Sequence, residues 1–209
     1  MKILITHASA GAGHRKAAEA LYHYLQENTS YDIVLLDVLD YASLPYKSLY
    51  AKTYSFLITY TPLVWGFIFY LIDIPFLQPL VRLLRRINNA INAPRFHRYL
   101  CEEQFDYIFS SHFLPNEISA ALKRKGKITS RIISIITDYD VHKIWLSKGI
   151  DIYAVACEYT KNKLRHLGVV ERDIFISGIP SDKKFSQDHH VDLLKEKFSL
   201  KKDEFTVLI

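Results

Sequence analysis

Six short apolar runs punctuate this chain: Ile3 to Ile5, Ile33 to Leu36, Tyr107 to Ser110, Arg131 to Ile136, Ile152 to Ala156 and Ile174 to Ser177. Helix-patterned stretches separate most of them. Alternation of this kind predicts a parallel sheet covered by helices, an α/β fold of the doubly wound, Rossmann-like type. A length of 209 residues allows one such domain with a sizeable core, and 49% hydrophobic residues is an ordinary globular composition.

Ligands of such sheets bind at the carboxyl ends of the strands. Each notable polar group here follows a strand: His7 and His14, Ser110 to His112, Thr137 to His142, and Gly178 to Asp182. The first run passes through Thr6-His7-Ala8-Ser9-Ala10-Gly11-Ala12-Gly13-His14 into a helical pattern from Arg15 to Gln26. Glycines at 11 and 13 permit a tight turn, and the helix start behind them offers unpaired amides and a partial positive charge. Ser9, Gly11, Ala12 and Gly13 are therefore candidate phosphate ligands. Ala17, Ala18, Leu21, Tyr24 and Leu25 share one helical face, which would lay the helix on the sheet and hold His14 at the crevice.

The turn is not a dinucleotide fingerprint, because Lys16 occupies the third glycine position, and it is not a Walker A loop. Spacing alone equally allows a plain strand-to-helix connection with a solvated histidine. Cys101 and Cys157 lie far apart without metal or disulfide spacing, so neither a zinc site nor a bridge is expected, and a reducing cytosol fits. The first residues carry no basic and apolar leader pattern, so export is not expected.

The alternation breaks between Pro45 and Leu100, where the chain is aromatic, apolar and basic. Seven Lys or Arg stand there against one acid, Asp73, so all of the net positive charge of +5 lies in this insertion. Three readings are open. Thr53 to Ile72 is uncharged and long enough to span a bilayer, but Pro62 and Gly66 interrupt it. A buried helical hairpin would explain the aromatics as core. Docking on an anionic membrane surface would explain both features, with Trp65 and Phe67 at headgroup depth and Arg82, Arg85 and Arg86 meeting lipid phosphates. A nucleic-acid partner is not expected, since neither a stacking sheet nor a groove-fitting helix is visible.

Ser9-Ala10-Gly11-Ala12-Gly13-His14, followed by Ala17-Ala18 and Ala20-Leu21, resembles the N-terminal signature of monogalactosyldiacylglycerol synthases and bacterial processive diacylglycerol glucosyltransferases. A second block follows the same family's order: Thr137-Asp138, Trp145, Asp151, Tyr153, Val155, Gly168 and Ser177-Gly178-Ile179-Pro180. The resemblance implies the N-terminal half of a GT-B glycosyltransferase. Residues 1–190 would form the lipid-acceptor domain with a membrane-contacting insertion at about 45–100. Residues 191–209 would form a linker and, from Phe205 to Ile209, the first strand of an absent C-terminal domain.

The implied reaction is inverting transfer of glucose, or galactose, from a UDP-sugar to diacylglycerol at the cytoplasmic face of the membrane. The chain alone is expected to be inactive, because the UDP-sugar co-substrate would be held mainly by the absent half; no permanent cofactor or metal is implied. His14 is the first candidate for the base, with Asp138 as rival or helper. His112, His142 and Trp145 would line the cleft. The alternatives are transfer of N-acetylglucosamine to a polyprenyl-diphosphate lipid and a non-catalytic module that binds anionic lipid.

Overall fold

A computed structural model describes residues 1–9, 11–187, 190–201 and 203–207, with backbone alone for Leu44, Ala51, Tyr54, Ile58 and Phe69. All six apolar runs are strands: β1 (Lys2–His7), β2 (Asp32–Asp37), β3 (Tyr107–Ser110), β4 (Arg131–Ile135), β5 (Ile152–Val155) and β6 (Ile174–Ile176). They form one parallel sheet in the order β2-β1-β3-β4-β5-β6. The register sets Thr6 of β1 beside Ser110 of β3, and Ser110 beside Ser134 of β4.

Helix α1 (Ala12–Asn28) joins β1 to β2, and four helices follow: α2 (Leu44–Tyr60), α3 (Pro62–Asp73), α4 (Gln78–Asn92) and α5 (Pro94–Glu103). Beyond β3 come α6 (Phe113–Arg124), α7 (Glu158–His166) and α8 (Val191–Lys197). Both faces of the sheet are covered. Ile3 and Ile5 pack on Ala18 and Leu21 of α1, while Leu4, Ile108 and Ile132 pack on the other side against Phe96, Leu100 and Ile118. Because β1 leads to a helix on one face and β3 to a helix on the other, their carboxyl ends open a crevice, the usual ligand position of such a sheet.

The insertion is helical but is not buried as a hairpin. Tyr60, Leu63, Phe67, Tyr70 and Phe76 are exposed, Leu63 and Phe76 to 88%, as are Leu80, Leu84, Ile87 and Ile91 along α4. An apolar surface of this extent marks a partner or a membrane. Among the described residues no single helix is long and apolar enough to cross a membrane; Pro45–Leu57 and Pro62–Asp73 qualify only together and are bent by 111°. The exposed stretch also ends before residue 100, because Phe96 and Leu100 of α5 are fully buried in the core. Phe205, Thr206 and Val207 lie outside strand structure, and Leu208 and Ile209 fall outside the described residues.

Candidate active site

The turn after β1 has the expected shape. Gly11 precedes α1 with φ 133° and ψ 153°, a region effectively reserved for glycine, and no side chain caps the helix start. The first turn carries no acid, so its amides face an uncompensated positive end. A Cβ on Gly13 would have nothing within 4 Å, which leaves open space beside that amide. Ser9 is held from the neighbouring strand end, its amide donating to Asp37 Oδ1 at 3.3 Å. Ala10 lies outside the described residues.

His14 sits in the first turn of α1 and is gripped from two further strands. Ser111 Oγ donates to the His14 carbonyl at 2.7 Å, and the Thr137 hydroxyl lies 2.8 Å from His14 Nδ1. With Nδ1 engaged, Nε2 is the ring atom left for chemistry. Burial pushes the His14 pKa below the ordinary imidazole value, while the Asp138 charge pulls it back up. The ring is thus neutral at neutral pH and close to a carboxylate that favours its protonated form.

Asp138 is oriented by Trp145, whose Nε1 donates to Oδ2 at 2.7 Å. Trp145 is only 1% exposed and its ring centroid lies 5.9 Å from that of His14. It is therefore buried against the crevice, without the open face that direct stacking on a lipid would need. His112 meets His14 edge-on at 4.8 Å and accepts from the Leu114 amide through Nδ1, capping α6. Burial, reinforced by His14, His7 and Arg85, holds its pKa well below the ordinary value.

The sheet thus gathers Ser111, His112, Thr137, Asp138 and Trp145 around His14. His142 turns elsewhere: its Nδ1 accepts from the Ile144 amide and its Nε2 lies 3.5 Å from Asp73 Oδ1 at the end of α3. It lines a hollow of ≈ 340 Å³ with Trp65, Tyr70 and Asp73 of the insertion.

Of the three arginines expected at lipid phosphates, Arg82 and Arg86 are exposed but Arg85 turns inward. It pairs with Glu117 at 2.8 Å and stacks on Phe113, since a guanidinium on this face of α4 meets the carboxylate of α6. Among the expected membrane contacts Phe67 is exposed and Trp65 half-buried.

Sequence reasoning passed over Thr137 as the partner of His14, Ser111 as its backbone clamp, and the Asp73 contact. The sequence signal for Thr137 was its place at a strand end beside Asp138.

A six-stranded parallel sheet of the doubly wound type, with a glycine turn and a buried histidine at its switch point, is consistent with the Rossmann-like N-terminal half of a GT-B glycosyltransferase. The family model for monogalactosyldiacylglycerol (MGDG) synthase matches residues 14–180, and the chain belongs to that family. It is similar to the processive diacylglycerol beta-glucosyltransferase of Bacillus licheniformis, 28% identical over 212 residues, which cover 99% of this chain and 52% of that protein. The enzymes of the same name from Bacillus pumilus and Bacillus cereus are 27% and 25% identical over the whole chain, covering 53% and 52% of their own lengths. The chain spans about half the length of the curated relatives it matches.

Proposed function

We propose that this chain is the lipid-acceptor half of an enzyme that transfers glucose, or galactose, from a UDP-sugar to the primary hydroxyl of diacylglycerol with inversion, working peripherally at the cytoplasmic membrane face. The observation that carries the reading is a neutral, two-point-anchored His14 at the open N-terminus of α1, in a domain whose insertion exposes apolar rings beside arginines.

In this reading His14 Nε2 accepts the proton of the acceptor hydroxyl as its oxygen attacks the anomeric carbon. The carbon–oxygen bond to the diphosphate breaks with its electron pair on the leaving UDP. One displacement of this kind inverts the centre. Asp138 stabilises the imidazolium as it forms, and Thr137 fixes the ring. The amides of Gly11, Ala12 and Gly13 face the charge gathering on the diphosphate, with Ser9 beside them. The arrangement favours His14 over Asp138 as base, because the Asp138 carboxylate is already engaged by Trp145.

The test is transfer of labelled hexose from UDP-glucose and UDP-galactose to diacylglycerol in mixed anionic vesicles. It uses this chain, a form continued by a donor-binding half, and His14→Ala in that longer form. Activity in the longer form, lowered at least about 100-fold by the substitution, is the expected result. Transfer by the 209-residue chain alone would refute the division into halves. Transfer only to a polyprenyl-diphosphate acceptor would refute the choice of lipid, and lipid binding without any transfer would leave a binding module.

A further inference from the structure

Three consecutive residues of the loop after β4, His142, Lys143 and Ile144, are each held by a helix of the insertion, and the next residue is Trp145. Asp73, the last residue of α3, accepts from the Lys143 amide through Oδ1 at 3.3 Å, and the same oxygen lies 3.5 Å from His142 Nε2. In return Lys143 Nζ donates to the Asp73 carbonyl at 2.8 Å. Arg85 of α4 donates to the Ile144 carbonyl at 3.3 Å, from a guanidinium already anchored on Glu117 of α6.

The position of Asp73 does nothing for its own helix. A carboxylate at a helix C-terminus opposes the macrodipole, and no basic residue stands in the last turn of α3 to offset it. Asp73 is also the sole acid between residues 45 and 100. The ammonium group that satisfies the last carbonyl of α3 comes from the loop instead. The carboxylate is therefore explained by the turn it holds and not by the helix it ends.

What that turn carries is Trp145. Its ring is packed between those of His14, at 5.9 Å between centroids, and Phe113, at 6.4 Å, and its indole N–H reaches back to the Asp138 carboxylate. With its ring enclosed on these sides and only 1% of the residue exposed, Trp145 follows the backbone of the turn and does not adjust independently of it.

We propose that Asp73 is a positioning residue for the His14 crevice: by clasping His142 and Lys143 it holds the turn at the setting in which Trp145 keeps Asp138 beside His14. The kinetic consequence rests on the reading of His14 as the base in glycosyl transfer; the clasp and its effect on the indole do not.

The test follows hydrogen exchange at Trp145 Nε1 by NMR in the 209-residue chain and in its Asp73→Ala, Asp73→Asn, Lys143→Met and Gln78→Ala variants, with urea unfolding of each. Trp65 and Trp145 are the two tryptophans of the chain, so Trp65→Phe assigns the indole signals. Asparagine at 73 keeps an oxygen for the Lys143 amide. Lys143→Met removes only the bond to the Asp73 carbonyl and is the milder variant. Gln78 donates to the Ile72 carbonyl, so its loss loosens the end of α3 without removing a bond to the turn.

Asp73→Ala should speed exchange at the Trp145 indole at least about tenfold, the scale of a weakened charge-assisted bond, while exchange of the β1 amides changes by less than about threefold. Asp73→Asn should restore most of the protection, Lys143→Met should move the indole in the same direction as Asp73→Ala by less, and Gln78→Ala should leave it within about threefold. An unchanged indole in Asp73→Ala, or an equal change in Gln78→Ala or at the β1 amides, would overturn the positioning role. In the form continued by a donor-binding half, kcat should fall about tenfold in Asp73→Ala, with KM for diacylglycerol within about threefold, and should recover in Asp73→Asn. A raised KM at unchanged kcat would overturn the role and leave Asp73 in acceptor binding. Absence of transfer by the unaltered longer form would overturn the functional reading, while the indole measurement still decides the clasp.

Discussion

The neutrality of the histidine pair sets a stability profile that can be measured without any substrate. His112 is 2% exposed, and in the folded chain its pKa lies well below the ordinary value because burial and then the neighbouring His14 disfavour its charged form. In the unfolded chain it titrates near 6.5. Below about pH 6.5 the unfolded state therefore takes up a proton that the folded state refuses, and stability present above that pH is lost as the pH falls. The loss approaches about 1.4 kcal/mol per pH unit for each such group while the pH lies between its two pKa values. His14, His7 and His97 are shifted in the same direction, so the whole chain should be acid-sensitive.

His112→Asn isolates one contribution. Asparagine caps a helix well and can keep the bond from the Leu114 amide, but it cannot titrate. The smaller side chain should lower stability at every pH by roughly 1–3 kcal/mol, from lost packing on Phe113. Urea unfolding at pH 7.5, 6.5 and 5.5 separates that constant cost from the slope. The difference in stability between the unaltered chain and the variant should shrink by about 1 kcal/mol between pH 6.5 and 5.5. Parallel curves over this range would show that the buried ring is not the source of the acid loss, and the reasoning would fail.

Other perturbations follow from single contacts. Glu117→Leu strands Arg85, whose side chain is 19% exposed, and should cost about 3 kcal/mol by urea midpoint, whereas Arg85→Met/Glu117→Leu should recover most of it. Gly11→Ala places a Cβ in a backbone region reserved for glycine and should lower stability by roughly 1–3 kcal/mol; a melting temperature equal to that of the unaltered chain would contradict the observed φ of 133°. Trp145→Phe removes the donor to Asp138, so in an NMR titration the His14 pKa should move while the fold, judged by amide shifts distant from the site, stays in place.

The sheet was legible because each strand reads as an apolar run: β1 and β4 are buried on both faces, and the edge strands β2 and β6, though partly exposed, are still rich in Ile, Val, Leu and Phe. The helix expected from Arg15 begins at Ala12 instead, since Gly11 ends the turn and Ala12 already has helical geometry. His14 stands in the first turn of that helix, as the pattern implied. Contacts between distant segments were not legible. Nothing in the sequence near Arg85 announces Glu117, thirty-odd residues away on another helix, and the amphipathic pattern of α4 assigned its whole basic face to the outside. Trp145 shows the same limit from the other side: a tryptophan near a strand end suits a ligand platform or a core, and only the Asp138 bond and its burial separate the two.

One short segment joins the insertion to His14. Asp73, the last residue of α3, accepts from the Lys143 amide at 3.3 Å, and Lys143 Nζ donates to the Asp73 carbonyl at 2.8 Å. Two residues further on, Trp145 packs on His14 and orients Asp138, while Thr137, which fixes the His14 ring, begins the same loop. The loop from 137 to 145 is thus held at one end by the exposed apolar helix and at the other by His14. A displacement of α3 large enough to break the Asp73 contacts must either be absorbed by the few residues between Lys143 and Trp145 or be passed to the Trp145–Asp138 bond. Those residues form a single tight 3₁₀ turn closed by the Trp145 amide on the His142 carbonyl at 3.1 Å, which leaves little slack to absorb it. The seating of the insertion and the orientation of His14 and Asp138 are therefore linked through this one loop, which ties the aromatic, basic stretch between β2 and β3 to the crevice beside the glycine turn.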